Sequence, residues 1–209
     1  MKLTLTDDEI AAIAVSVRSP WPMPLPTIES TPNAIAAASL RGLRSLAVRG
    51  LIEGSDEYTI APLIREALSV VQPTSGRFTT YVAERSAPST LVGSIAVAYL
   101  AEDDGGRAIV EFVSPAGVHD LVPGSNDEAR SLIVQLVQNT FDQGFRGEVV
   151  EDAALIVLGS HPQTTAAVVA QGSIEIGRMD EASQSFVPSE HLDTWDAAAI
   201  EAVLSFVPR

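Results

Sequence analysis

Apolar and polar positions recur along this chain with two different periods, and the change of period divides it. Up to about residue 72 the period is helical. In LTLTDDEIAAIAVSV a short strand over Met1–Leu5 runs into a helix, because Ile10, Ile13, Ala14 and Val17 fall on one face and Thr6 with Glu9 forms a capping box. Asp7, Asp8 and Glu9 in its first turn suit the helix dipole. SPWPMPLP follows, with Pro20, Pro22, Pro24 and Pro26, and can be neither helix nor central strand. It predicts a stiff extended connector whose Trp21 and Leu25 pack on the body, the alternative being a ligand for a proline-binding module. Thr31 before Pro32 starts a second helix over roughly 32–49, and Gly50 stops it, with Leu46 and Leu51 placed for the apolar contact of a Schellman cap. A third helix runs from about Ala61 to Val71. Between the two, Glu57–Ile60 is too short to be half of a β-hairpin.

From Arg77 the period becomes two. FTTYVAERS, TLVGSIAVAYLAED and RAIVEFVS, separated by turn signals at Ala87–Ser89 and Asp103–Gly106, predict consecutive antiparallel hairpins, and GVHDLV adds a fourth strand. SNDEARSLIVQLVQNTFDQG then puts Ala129, Leu132, Ile133, Leu136, Val137 and Phe141 on one face of a helix at about 127–142, capped by Ser125 or Asn126 and stopped by Gly144. In the remaining third, AALIVLG and TTAAVVAQGSIEIG read as strands, although 163–171 also fit a helix, and Asp193 caps a final helix carrying Ala199, Ile200, Val203 and Leu204. QSFVPS resembles HDLVPGS, so both halves run strands, "VP", a polar cap and a helix. That order is a weak internal two-fold repeat or a chance similarity of two α+β segments. The expected fold is α+β: a central, mostly antiparallel sheet flanked by helices in one domain over 1–209. Its parts are a helical segment at 1–72, a meander plus helix at 77–145, and a second β-plus-helix part at 148–209.

Composition narrows this further. Hydrophobic residues make up 46% of the 209 but aromatic ones only 5%, so the core is built from Ala, Val, Leu and Ile. The absence of cysteine excludes disulfides, thiol catalysis and Cys-based metal sites. Thirteen basic against 27 acidic residues give −14, a field that repels nucleic-acid backbones, acidic membranes and anionic substrates. The most apolar run, Ile95–Ala101, is far below the roughly 18 residues of a membrane span. The N-terminus lacks a basic-then-apolar leader pattern, which predicts a cytoplasmic protein.

Candidate chemistry is sparse. His119, His161 and His191 have no helical i, i+4 spacing for a metal and are expected to be solvated or locally hydrogen-bonded. Gly159-Ser160-His161 is not a nucleophile elbow, and the acids of DDGG disfavour an anion loop. The acidic pairs Asp7-Asp8, Asp103-Asp104, Glu151-Asp152 and Asp180-Glu181 are expected to be solvated ends of elements. No catalytic, cofactor-binding or metal-binding residue is therefore assigned, and an enzyme is the third reading. A polar pocket gathering His119 or His161 with carboxylates would favour it. The second reading is a winged-helix-like transcriptional regulator over 32–71. There Arg41, Arg44, Arg49 and Arg65 are balanced by Glu53, Asp56, Glu57 and Glu66, which leaves no surplus for a duplex.

Three stretches, LTLTDDEIAAI, PMPLP at Pro22–Pro26 and SLRGLRSLAVRGLIEGSDEYTIAPLIREAL at Ser39–Leu68, resemble the EspG family, the cytosolic substrate chaperones of ESX (type VII) secretion in actinobacteria. The later segment QGSIEIGRMDEASQSF departs from the family's pattern. The resemblance implies a non-catalytic protein without cofactor, in which exposed parts of an antiparallel sheet and its flanking helices hold an aggregation-prone helical secreted substrate. It transfers no catalytic residue, and the family's partner-contacting positions do not map onto this chain by motif.

Overall fold

Strict alternation in one strand separates the two sides of the molecule. Ile95, Val97 and Tyr99 enter one apolar cluster while Ala96, Ala98 and Leu100 enter another, so that strand is the floor of two layers. The computed structural model describes residues 2–54, 59–72, 76–101, 106–144, 152–159, 165–180 and 185–204. Their elements in chain order are β1 (Leu3–Thr6), α1 (Asp7–Val17), α2 (Pro32–Val48), β2 (Ile52–Glu53), β3 (Thr59–Ile60), α3 (Pro62–Val71), β4 (Gly76–Glu84), β5 (Ala87–Leu100), β6 (Arg107–Val113), β7 (Val118–Ser125), α4 (Asn126–Gln143), β8 (Ala153–Leu158), β9 (Thr165–Ala170), β10 (Ser173–Asp180), β11 (Ser185–Leu192) and α5 (Ala197–Val203). The fold is α+β around a nine-stranded sheet of order β1-β7-β6-β5-β4-β8-β9-β10-β11, with every pairing antiparallel.

The order is symmetrical about its middle. β4 and β8 pair there, with Tyr81 opposite Ile156, and each begins a four-stranded meander that runs outward and ends in a helix. Both helices pack on the same face, α4 through Ala129, Ile133 and Val137 and α5 through Ile200 and Val203. Leu132 and Leu136 of α4 lie at the margin of that contact, half-buried. On the opposite face α1, α2 and α3 cover only the first meander. The second meander closes its own face by curling. β11 touches β5, although a flat sheet would hold them about 24 Å apart at ~4.8 Å per strand. The curl encloses Ala83, Ala154, Ile156 and Val168, with Phe186 against them.

Caps form where polar side chains can reach orphan amides. Thr6 with Glu9 and Ser125 with Glu128 make complete capping boxes at α1 and α4. Gly50, at φ +67, ends α2 in a Schellman motif: Leu51 N–H donates to Leu46 C=O and Gly50 N–H to Ala47 C=O.

Three expectations are corrected, and one open choice, strand or helix over 165–170, is decided. The turn between β4 and β5 is Arg85–Ser86, flanked by paired Glu84 and Ala87; Ala87–Ser89 belongs to the strand, where irregular register accommodates Pro88. β2 and β3 do form a minimal hairpin, Ile52 opposite Ile60, because two residues per strand suffice when buried Ile52 anchors one of them. The cap of α5 is Asp196, whose carboxylate accepts from Ala198 and Ala199 N–H; Asp193 lies too early and instead bonds His191 Nε2 at 2.7 Å. Residues 165–170 are strand, fixed by ladders to β8 and β10 on both sides. The expected turn over Asp103–Gly106 lies outside the described residues except for Gly106.

Candidate functional site: an apolar groove walled by a Pro-rich strap

The first layer begins with two helices in close contact. α1 and α2 run antiparallel through small residues, with Ala11, Ala12, Ala38 and Ser39 buried. At Gly42 an added Cβ would lie 1.9 Å from the Asp8 carbonyl oxygen, so only glycine permits this approach. The contact is bolted by charge at one end. Arg41 makes two bonds to Asp8, at 2.7 and 2.8 Å, and buried Glu9 accepts from Arg49 Nη1 (2.6 Å), Ser45 Oγ (2.6 Å) and Thr6 N–H. Arg49 Nη2 also donates to the Thr4 carbonyl at 2.8 Å. Arg41 and Arg49 are thus held against α1 and β1, while Arg44 and Arg65 are exposed.

Away from that end the segment of residues 19–30 joins the two helices as a strap; it bends at Pro22–Met23 and turns over Leu25–Ile28, where Ile28 N–H donates to Leu25 C=O at 3.0 Å, so it is not the extended connector expected from its prolines. An apolar groove of about 440 Å³ opens there, walled by Val15 of α1, Ile35 of α2, and Trp21, Met23, Leu25 and Ile28 of the strap. Val15 is 56% exposed at its mouth. A smaller hollow of about 240 Å³ on the far side of the strap adds Pro24, Pro26 and exposed Leu91, so apolar surface continues across it. Trp21 and Leu25 pack on the body as the sequence predicts.

The inward side of the strap is polar, which is the feature that the residue spacing did not reveal. Trp21 Nε1 donates to Glu111 Oε1 at 2.9 Å, and Thr27 donates to Asp7 Oδ2 from both N–H (2.7 Å) and Oγ1 (2.6 Å). His119 joins the two carboxylates, with Nδ1 2.6 Å from Glu111 Oε1 and Nε2 2.6 Å from Asp7 Oδ1. Tyr99 OH donates to Glu111 Oε2 at 2.6 Å. All four titratable side chains are sealed, with His119, Glu111 and Tyr99 at 0% exposure and Asp7 at 1%. Burial pushes the His119 pKa down, but the bonds to Glu111 and Asp7 outweigh it, and the net direction is upward. Burial, followed by the Glu111 charge, drives the Tyr99 hydroxyl far above its ordinary range.

His119 and Asp7 are therefore corrected: neither is solvated, and the partners of His119 are 8 and 112 positions away. His119 does gather with carboxylates, yet in a sealed cluster and not in a pocket that a substrate can enter. Among the described residues, no group of three or more His, Asp or Glu could hold a metal ion. A legible signal existed in the strand period. Glu111 alternates with Ile109 and Val113, and His119 with Leu121, so both lie on the inward face. His191 is at the surface beside Asp193, while Ser160 and His161 lie outside the described residues.

No helix among the described residues is long and apolar enough to cross a membrane. Compared with known proteins, the chain matches no family model and no curated protein.

Proposed function

We propose that this is a non-catalytic protein-binding protein, chaperone-like and of the EspG type, which holds a helical secretion substrate in the cytoplasm. The observation that carries the reading is the groove: its strap wall is fixed from behind by three hydrogen bonds to buried carboxylates, from Trp21 and Thr27, so it exists before a partner arrives. An amphipathic helix laying an aliphatic ridge along Val15, Ile28 and Ile35 is the occupant that such a surface suits. Charge distribution supports the same use. Residues 1–72 carry six bases and eight acids, whereas residues 73–209 carry seven and nineteen. Docking falls where repulsion is weakest, and the acidic remainder keeps the complex soluble.

The regulator reading loses support because Arg41 and Arg49 are spent on Asp8, Glu9 and the Thr4 carbonyl. The test is affinity purification from native cytosol with wild type and with a Val15→Asp, Ile35→Asp double variant. Recovery of one helical protein by wild type alone is expected. Recovery of nothing, or a salt-sensitive complex with duplex DNA, would sink the proposal.

A further inference from the structure

The sealed cluster behind the strap can be read by its donors and acceptors. Six hydrogen bonds converge on two carboxylates: three reach Asp7, two from Thr27 and one from His119, and three reach Glu111, from Trp21, His119 and Tyr99. A neutral imidazole has one N–H, so one ring nitrogen would point a lone pair at a carboxylate oxygen 2.6 Å away. Only the imidazolium donates to both. With both carboxylates ionised, every partner is then satisfied, and Asp7, Glu111 and His119 carry one proton among them. A second proton, placed on either carboxylate, converts an acceptor that already receives a donor into another donor.

Three of the six bonds come from the strap. We propose that Asp7, Glu111 and His119 form a proton latch, which holds the Pro-rich strap against the sheet while His119 donates to both carboxylates and releases it when the proton they share is lost. The latch stands on this geometry alone; its consequence, a groove that loses its wall, rests on the function proposed above. On the alkaline side the sign follows from His119. Its pKa is raised in the folded protein, so its contribution is fully present below the ordinary histidine value of about 6.5 and is lost as pH rises through the raised value.

The other elements packed on this layer add little charge. α3 turns Ile64, Ala67 and Leu68 inward and leaves Arg65 and Glu66 exposed. On α1, Glu9 is committed to Arg49, and Arg77 of β4 acts on Tyr99 from a distance. β1 places aliphatic Leu5 opposite His119, and on β7 Asp120 is held by Lys2 and Thr4.

Trp21 is the natural reporter, because a Trp195→Phe background leaves it the sole tryptophan. The test is acrylamide quenching of Trp21 across a pH titration, with far-UV circular dichroism recorded in parallel. Wild type should be protected near neutrality and quenched several-fold faster as pH rises through the raised His119 value, before ellipticity is lost. His119→Gln, whose amide sets an acceptor oxygen where one of the two donating ring nitrogens stands, should be quenched fast throughout. Thr27→Val alters an exposed strap position and removes one donor from Asp7, so Trp21 should be quenched faster near neutrality even if His119→Gln fails to fold. The latch is overturned if Trp21 exposure changes only with global unfolding, or if Thr27→Val leaves Trp21 as protected as in wild type. Failure to capture a helical partner while this transition appears would refute the proposed function and not the latch.

Discussion

The two meander-plus-helix halves share one element order and differ in what lies on the face away from α4 and α5. In the first half the inward positions of the strands include Tyr99, Glu111 and His119, and three helices and a strap cover them. In the second half the equivalent face is aliphatic, Ala154, Ile156 and Val168, and the sheet curls over it without help from a helix among the described residues. One backbone plan therefore serves two ends. Aliphatic inward residues let a sheet close on itself, whereas bulky and polar ones demand a covering layer that supplies their partners. The covering layer is also where the groove lies.

The largest effects should fall on the face common to both halves. Ile133→Asp in α4 and Ile200→Asp in α5 each bury an unpaired charge and should cost more than about 4 kcal/mol, read as loss of the cooperative urea transition. Leu136→Asp should cost visibly less, since Leu136 is half-buried. The next contrast separates the halves. Glu111→Gln turns an acceptor of three donors into a group with its own amide hydrogens and should cost roughly 2–4 kcal/mol. Glu175→Gln in the second half, which loosens only the partly exposed pair that Glu175 makes with Arg85 of the β4–β5 turn, should cost under about 1 kcal/mol. Equal losses in chemical denaturation would erase the distinction.

Gly42→Ala comes next, at about 1–3 kcal/mol, because the methyl group must push α1 from α2. Smallest are Gly50→Ala in the first half and Gly172→Ala in the second. Both glycines sit near φ +66 with open space around the missing Cβ, so each change should cost only the backbone strain of about 1 kcal/mol, and equally. Thermal melts that separate these two by more than their error would point to a contact beyond the turn itself.

Local chemistry made much of the fold legible. Thr6 with Glu9, and Leu46 with Gly50 and Leu51, act within six residues of one another and do as their spacing predicts, and Ser125 caps α4 as one of its two expected candidates. Misreadings came where a distant partner or a competing local group decides. Asp193 looked like a cap, yet Asp196 stands nearer the first helical amides. Pro88 looked like a turn residue, yet the neighbouring two residues turn first. The groove itself was illegible, since it depends on how the strap meets side chains of α1 and α2 that are distant in sequence. Its latch was half legible: alternation turns Glu111 and His119 inward, but nothing local shows that Asp7, 112 residues before His119, meets them.

The central claim is that the covering layer of the first half, and not the curled second half, receives a partner. A photo-crosslinking side chain placed at Val15 or at Val187, both exposed, compares the two directly in native cytosol. The account predicts a covalent adduct with a helical protein from Val15 and none from Val187. An adduct from Val187 alone, or from both positions equally, would contradict it.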